Sequence, residues 1–337
     1  MIKINRNYSL KHSNSFGLES TAKLFIEADE PEELMDALKT IHPDKENILI
    51  LGTGSNVLFS DRRAGTVIHP INKDIGILEE SPDSVLIKCG AGMDWDEFVN
   101  WSVNRGFGGL ENLSLIPGSV GAAPIQNIGA YGTEVSVFIE SVEVIDLETS
   151  QRFRLNRNDC RFGYRDSIFK DPDNRSWLVW EVLFLLDKQP RVNLSYKPLE
   201  EEFNSGPKPD IQMVREAVIR IRRSKLPDPA EFGNAGSFFK NPIISACQAR
   251  LLNEQFPEMP TYFHGPGTVK IPAGWLIERC GWKGYREGPV GVWPKQALVL
   301  VNYGGAESRE IMGLSDKIID SVKKTFGIRL EPEVRFV

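Results

Sequence analysis

Ile48-Leu49-Ile50-Leu51-Gly52-Thr53-Gly54-Ser55-Asn56-Val57-Leu58-Phe59 sets a glycine-rich turn directly between two apolar, strand-like runs. The residues immediately after the glycines decide the fold. A Rossmann site needs a helix there and a P-loop needs Gly-Lys-Ser/Thr, but the chain continues as Val57-Leu58-Phe59. Two accounts remain: a plain hairpin turn, or a strand–loop–strand nest whose closely spaced N–H groups can cradle a pyrophosphate. A second segment tips the balance toward a ligand. It runs Leu113-Ser114-Leu115-Ile116-Pro117-Gly118-Ser119-Val120-Gly121-Ala122-Ala123-Pro124, then Gln126-Asn127-Ile128-Gly129-Ala130-Tyr131-Gly132. So little side-chain volume lets backbone approach a flat or extended molecule, although tight helix–sheet packing uses the same residues. Two such segments, neither of Rossmann type, suggest a dinucleotide held against a β-rich scaffold.

Outward from these loops, Ile48–Leu51, Val57–Phe59, Thr66–Ile68, Val85–Cys89, Val142–Ile145 and Leu178–Leu186 read as strands. Asp29 caps a helix with Leu34, Leu38 and Ile41 on one face. Asp94, with Glu97 three residues on, opens another that is lined by Trp95, Phe98, Val99 and Ser102 and stops at Gly106. Between Asp187 and Pro209 the pattern breaks into polar, Pro- and Gly-containing sequence, which reads as a linker or mobile loop. Helices resume at Asp210 (Ile211, Val214, Val218, Ile221), at Ser245–Phe256, at Pro272–Cys280 with Pro in the first helical position, and at Glu307–Phe326 ahead of Gly327. The chain is β-rich early and α+β late.

Composition narrows the function. A chain of 337 residues suggests two domains, and 41% hydrophobic with 26% charged residues is a folded composition. Net charge is −6, so no overall basic field draws nucleic acid or anionic lipid. An anionic ligand then needs a local basic cluster. Arg220, Arg222, Arg223 and Lys225 supply one, although cations at a helix C-terminus also complement its dipole. The apolar runs are too short to span a bilayer, and the polar start Met1–Gly17 does not resemble an export signal. Cys89, Cys160, Cys247 and Cys280 form no CxxC pair, and His12, His42, His69 and His264 form no HExxH. Zinc, a catalytic metal and disulfides are therefore not expected, and a cytoplasmic location fits.

Periodicity orients two further segments. In Gly236-Ser237-Phe238-Phe239-Lys240-Asn241, a strand would place Ser237, Phe239 and Asn241 on one face and Phe238 and Lys240 on the other. At the chain end, Ile328, Leu330, Val334 and Phe336 would point one way and Arg329, Glu331, Glu333 and Arg335 the other. Pro332 argues against a central strand there.

Several motifs together resemble one family, the UDP-N-acetylenolpyruvoylglucosamine reductases (MurB). They are Asn14-Ser15-Phe16-Gly17, Gly52-Thr53-Gly54-Ser55-Asn56, Ile116-Pro117-Gly118-Ser119-Val120-Gly121 and Asn127-Ile128-Gly129-Ala130-Tyr131-Gly132. The likeness continues through Arg161-Phe162-Gly163-Tyr164-Arg165-Asp166, Lys225-Leu226-Pro227-Asp228-Pro229, Gly236 to Asn241, Ala273-Gly274-Trp275 and Leu330 to Phe336. It spans nearly the whole chain in the family's order, with Ser15 where Thr is more usual.

The resemblance implies an α+β protein with a two-subdomain FAD-binding region of the vanillyl-alcohol-oxidase type and a C-terminal α+β substrate domain. The expected boundaries are 1–188 for FAD (subdomains about 1–74 and 75–188), 189–206 for a mobile loop, 207–327 for substrate, and 328–337 for a strand returning to the active site. Non-covalent FAD would lie against Gly52, Gly54, Ser55, Asn56, Pro117, Gly118, Ser119, Gly121, Asn127, Gly129 and Ala130. NADPH would be the reductant. The substrate would be UDP-N-acetylglucosamine enolpyruvate, reduced to UDP-N-acetylmuramate for peptidoglycan synthesis.

Such a reduction develops negative charge at the substrate's α-carbon and carboxylate, so it needs cationic groups there and a positioned proton donor. The resemblance gives Arg165 the carboxylate, Ser237 the proton and Glu333 a supporting role. It sets Tyr164, Tyr196, Lys225, Asn241 and Tyr262 around the UDP-sugar, with Lys225 on the diphosphate and Tyr196 on the covering loop of one subtype. A monomer is expected. Alternatives are an alcohol oxidase or dehydrogenase of the same flavin fold, or a non-catalytic UDP-sugar-binding protein.

Overall fold

The structure, a computed structural model, describes residues 2–41, 43, 47–60 and 63–337; His42 lies outside the described residues. The chain forms two compact units. One comprises Met1–Tyr8, Thr21–Thr53 and Arg63–Ser224; the other comprises Ser9–Ser20, Gly54–Arg62 and Lys225–Val337.

The first unit contains a parallel βαβ, preceded by the edge strand Lys3–Ser9. Strands Thr21–Ala28 and Ile48–Ile50 both pair in parallel with Arg63–Pro70, which lies between them. Parallel pairing requires a crossover, here the helix Pro31–Ile41. Its buried Leu34 and Leu38, one turn apart, pack with Ile26 and Ile68 and with Ile145, Leu178 and Trp180 of the second sheet. That second sheet is antiparallel throughout, in the order Arg152–Asn156, Ile139–Asp146, Trp177–Asp187, Ser84–Gly90, Ile75–Glu80. Its central strand, Trp177–Asp187, is buried along most of its length. One face is covered by the helix Trp95–Val103, whose Trp95, Phe98 and Val99 enter the core beside Phe184. Asp94 caps this helix as its sequence indicates, accepting from the Glu97 N–H at 3.0 Å.

The polar stretch after Asp187 is not without regular structure. It contains the short helix Lys197–Glu202, and Leu199 is fully buried against Val214, Ala217 and Val218 of the helix Ile211–Lys225. The longer helix, through Ser224, groups with the first unit. The parallel strands of this unit end at Pro70 and the antiparallel sheet's first strand in sequence begins at Ile75.

The second unit gathers Phe16, Leu18 and Leu58 into the core built by Phe238, Phe239, Leu276, Ile318 and Val334. Its helices start where the capping residues predict. Ser245 accepts from Gln248 N–H at 3.1 Å, and Glu307 and Glu310 form a reciprocal capping box. Gly327 ends the last helix at φ 66, a conformation that favours glycine. Pro272 is the N-cap of Ala273–Arg279 rather than its first helical residue.

Two strand expectations need correction. Residues 236–241 form no strand face. Gly236 turns the chain at φ 67, and Phe238 and Phe239 are both buried, their rings 5.1 Å apart. At the chain end only Arg335–Phe336 is a strand, and Phe336 is exposed while Ile328, Leu330 and Val334 are buried. The alternation holds past Pro332, which lies opposite Phe239, as far as Val334; Phe336 alone departs from it.

Candidate active site

The strands flanking Gly52–Asn56 belong to different sheets: Ile48–Ile50 pairs with Arg63–Pro70, and Val57–Leu58 pairs in parallel with Arg335–Phe336. The plain hairpin is therefore excluded, and the glycines connect two separate ladders. A Cβ on Gly52 would stand 2.7 Å from Ser119 Oγ, so the absent side chain lets the two small-residue segments meet. Gly54, at φ 68, could carry no Cβ without overlapping the Ser13 carbonyl. Beside it the Ser15 N–H donates to the Gly54 carbonyl at 3.1 Å. Ser15 Oγ is itself buried and has no partner among the described residues. An orphaned hydroxyl at a glycine turn fits a polar ligand such as the pyrophosphate of FAD. Gly121 has a different reason to be glycine, because a Cβ there would press on Ala91 Cβ at 2.5 Å.

Leu115 leads into the Pro117–Gly121 loop at φ 58, an unusual conformation for a non-glycine residue. Charged side chains hold it from both sides. Its N–H donates to Asp96 Oδ1 at 2.5 Å, and its carbonyl accepts from Arg222 Nε at 3.1 Å. Asp96 is also gripped bidentately by the buried Arg215, at 2.7 and 2.9 Å. Burial acts to raise the Asp96 carboxyl's pKa, but bonds from Arg215 and the Leu115 N–H, with the charges of Arg215 and Arg222, leave it below the ordinary value. Arg222 also bonds the Tyr131 phenol. Burial pulls the guanidinium down and pushes the phenol up, each partly opposed by the other. The Tyr131 ring meets Tyr196 edge to face, with centroids 5.0 Å apart. Neither Asp96 nor Arg215 was singled out by the sequence, and Arg222 entered only as a member of the basic cluster at its helix end.

Arg165 sits in a tight turn in which Gly163 and Asp166 exchange backbone bonds at 2.9 and 3.2 Å. Its own φ is 54, and its Nη2 donates to the Gly129 carbonyl at 2.7 Å. Asn127, Tyr131 and Arg161 are likewise left-handed, so strained backbone concentrates in the segments the motifs marked. The guanidinium carbon of Arg165 lies 5.5 Å from the Tyr164 ring centroid. The Asn127 amide is committed internally, donating to Glu134 Oε2 at 2.9 Å and to the Gly163 carbonyl at 3.0 Å while accepting from Ser136 N–H at 3.1 Å. Its side chain holds the Arg165 turn to the Gly129–Glu134 hairpin. A cavity of about 310 Å³ beside that hairpin is lined by Glu111, Asn112, Gly132, Glu134, Asp187 and Asn193, among others, and by none of the residues predicted from the sequence.

In the second unit Ser237 is exposed after Gly236, and its neighbours pair with the chain end. Glu333 N–H donates to the Phe238 carbonyl at 2.8 Å, and Lys240 N–H to the Glu331 carbonyl at 2.9 Å. Ser237 and Glu333 thus lie on adjoining backbone segments. Asn241 Oδ1 accepts from Ala273 N–H at 2.9 Å, fixing the start of a helix. Tyr262 is exposed, and the Lys225 carbonyl accepts from Trp293 Nε1 at 3.0 Å. Among the described residues no group of three or more His, Cys, Asp or Glu could hold a metal ion, and no helix is long and apolar enough to cross a membrane.

Residues 22–156 match the model of an FAD-binding domain, and residues 228–337 match that of the UDP-N-acetylenolpyruvoylglucosamine reductase C-terminal domain. The chain is 44% identical to the UDP-N-acetylenolpyruvoylglucosamine reductase of Porphyromonas gingivalis, with 99% of each chain covered. It is also 44% identical to the enzymes of that name from Pseudomonas aeruginosa (98% of each) and Flavobacterium johnsoniae (100% of each). A crystal structure of the reductase from Thermus caldophilus shares the fold, with a TM-score of 0.70 at 23% identity, covering 100% of this chain and 99% of that one.

Proposed function

The chain belongs to the UDP-N-acetylenolpyruvoylglucosamine reductase family, and from that membership we propose that Arg165, Ser237 and Glu333 carry its reaction. The reaction is the NADPH-dependent reduction of UDP-N-acetylglucosamine enolpyruvate to UDP-N-acetylmuramate, a step in peptidoglycan precursor synthesis. FAD is the cofactor, and when bound it supplies the hydride chemistry between NADPH and the enolpyruvyl double bond. The residues assigned to hold it are Gly52, Gly54, Ser55, Asn56, Pro117, Gly118, Ser119, Gly121, Gly129 and Ala130, with Asn127 acting through its backbone. Ser15 joins them on the strength of its orphaned hydroxyl.

Each chemical role rests on the group available. The planar guanidinium of Arg165 suits a carboxylate whose charge grows in the transition state. The Ser237 hydroxyl protonates the α-carbon, and Glu333 supports it. Tyr164, Tyr196, Lys225, Asn241 and Tyr262 bind the UDP-sugar, with Lys225 on the diphosphate. The observation that most supports the assignment is the backbone pairing of Phe238 with Glu333. It brings a hydroxyl and a carboxyl from distant parts of the chain onto adjoining segments, both outside the packed core. Residues 1–188 are proposed as the FAD-binding region and 207–327 as the substrate domain, with a monomer working in the cytoplasm.

Purified protein mixed with NADPH should lose its flavin absorbance, and added UDP-N-acetylglucosamine enolpyruvate should restore it without oxygen. Bleaching with no recovery on the UDP-sugar would reject this substrate for the chain.

A further inference from the structure

Asn56 stands at the end of the glycine turn, where a nest meets an anion with its backbone N–H groups and leaves the side chains to other partners. Here its polar atoms reach the end of the chain. Asn56 Nδ2 donates to the main-chain carbonyl of Glu333 at 3.2 Å, and the Asn56 carbonyl accepts from the Arg335 N–H at 3.0 Å. The next two residues continue the attachment, with Val57 opposite Arg335 and Leu58 opposite Phe336 in a parallel ladder. On its other side the Glu333 N–H donates to the Phe238 carbonyl at 2.8 Å. The segment cannot be held there by a continuous strand, because Pro332 has no N–H to donate and the strand proper begins at Arg335. Both peptide groups of Glu333 are therefore bonded: the amide to the Ser237-bearing segment, the carbonyl to the Asn56 side chain.

We propose that Asn56 is a positioning residue for Glu333: its side-chain amide fixes the Glu333 peptide, and hence the point from which its side chain departs, relative to the segment that carries Ser237. This rests on the catalytic role proposed for Glu333. It reassigns the Asn56 side chain from binding cofactor to positioning Glu333, and leaves only its backbone to the glycine turn.

The test uses full-length holoenzyme and compares Asn56→Ala, Asn56→Gln, Glu333→Gln and the double variant Asn56→Ala/Glu333→Gln. FAD affinity, measured by flavin fluorescence on reconstituting the apoprotein, should change by less than about threefold in Asn56→Ala, since the backbone of the glycine turn is kept and the lost amide is the one bonded to the Glu333 carbonyl. Reoxidation of its reduced flavin by UDP-N-acetylglucosamine enolpyruvate should slow on the order of 10- to 100-fold, the scale of a misplaced catalytic group. Asn56→Gln, which keeps the amide donor, should recover part of that loss. The double variant should be little slower than Glu333→Gln alone, because residues acting through one another are not additive. A large fall in FAD affinity with normal reoxidation of the flavin that remains bound would make Asn56 a cofactor ligand and overturn the inference. Fully additive effects in the double variant would overturn it as well. If Glu333→Gln itself reoxidises at the wild-type rate, the role of Glu333 fails first, and that result is read independently of Asn56.

Discussion

Arg222 donates its Nε proton to the carbonyl of Leu115 at 3.1 Å, across more than a hundred residues of sequence. With Asp96 on the Leu115 N–H, the bond holds a left-handed residue at the mouth of the Pro117–Gly121 loop. The helix Ile211–Lys225, which brings Arg215 and Arg222, is thus a brace for the small-residue loop as well as a carrier of the basic cluster. Its cations serve more than the helix dipole.

The brace predicts an acid dependence. Asp96 has its folded-state pKa depressed, so its contribution to stability is complete above the ordinary Asp value, about 3.9, and disappears as pH falls through the folded value below that. Asp96→Asn should cost about 2–4 kcal/mol at neutral pH, since it leaves the Arg215 cation without its carboxylate partner; partial exposure of Asp96 favours the lower end. Urea unfolding of both proteins between about pH 3 and 7 should show their difference shrinking toward the acid end. A constant difference across that range would mean that charge is not what Asp96 contributes.

The glycine turn predicts two unlike defects. A methyl on Gly52 meets the end of a small side chain, Ser119 Oγ, which can rotate away. Gly52→Ala should therefore fold, with unfolding stability within about 1 kcal/mol of wild type, and should show its defect in FAD binding. A methyl on Gly54 meets rigid backbone at Ser13 in a left-handed conformation, so Gly54→Ala should lose about 2–4 kcal/mol whether or not flavin is present. Thermal unfolding of the apoproteins separates the two. Equal apoprotein stabilities would show that Gly54 keeps space open for ligand and is not a packing necessity.

How far the sequence could be read depended on how local the determining forces were. Asp94, Ser245, Glu307 and Gly327 act within one helical turn, and each does what its residue type implies. The strand runs were legible because β-branched alternation is set by immediate neighbours. Residues 236–241 and the chain end misled for one shared reason. The two segments pair with each other only briefly, from Phe238 to Lys240 against Glu331 to Glu333, too short a ladder to impose period-two alternation, and Phe239 and Phe336 take the opposite environments to those expected. The Asp96–Arg215–Arg222 brace had no local signature, because only the tertiary fold brings helices so far apart in sequence to Leu115. Asn127 was recognisable as important, but its commitment to Glu134, Ser136 and Gly163 could be read only from the folded hairpin.

The last prediction concerns Ser237. Reduction of the enolpyruvyl group leaves negative charge at the α-carbon, which a neutral donor must protonate, and a serine hydroxyl is too weak an acid to do so unaided. It becomes competent only where other groups stabilise the charge, the roles proposed for Arg165 and Glu333. A bare carboxylate beside that charge would repel it, so Glu333 must be protonated or paired with a cation while it assists. The fold supports a positioned donor: Ser237 follows the left-handed Gly236, and Phe238 beyond it is anchored twice, through its N–H to the Leu298 carbonyl at 2.8 Å and its carbonyl to the Glu333 N–H at 2.8 Å. Ser237→Ala removes one exposed hydroxyl and no core packing, so FAD content, UDP-sugar affinity and flavin reduction by NADPH should match wild type. Reoxidation of the reduced flavin by UDP-N-acetylglucosamine enolpyruvate should slow on the order of 10²–10⁴-fold, the range for a lost general acid. Anaerobic stopped-flow measurement of the two half-reactions decides it, and Ser237→Cys, which keeps an ionisable proton at the same position, should retain more of the rate than Ser237→Ala. Wild-type reoxidation in Ser237→Ala would assign the proton to another group or to water.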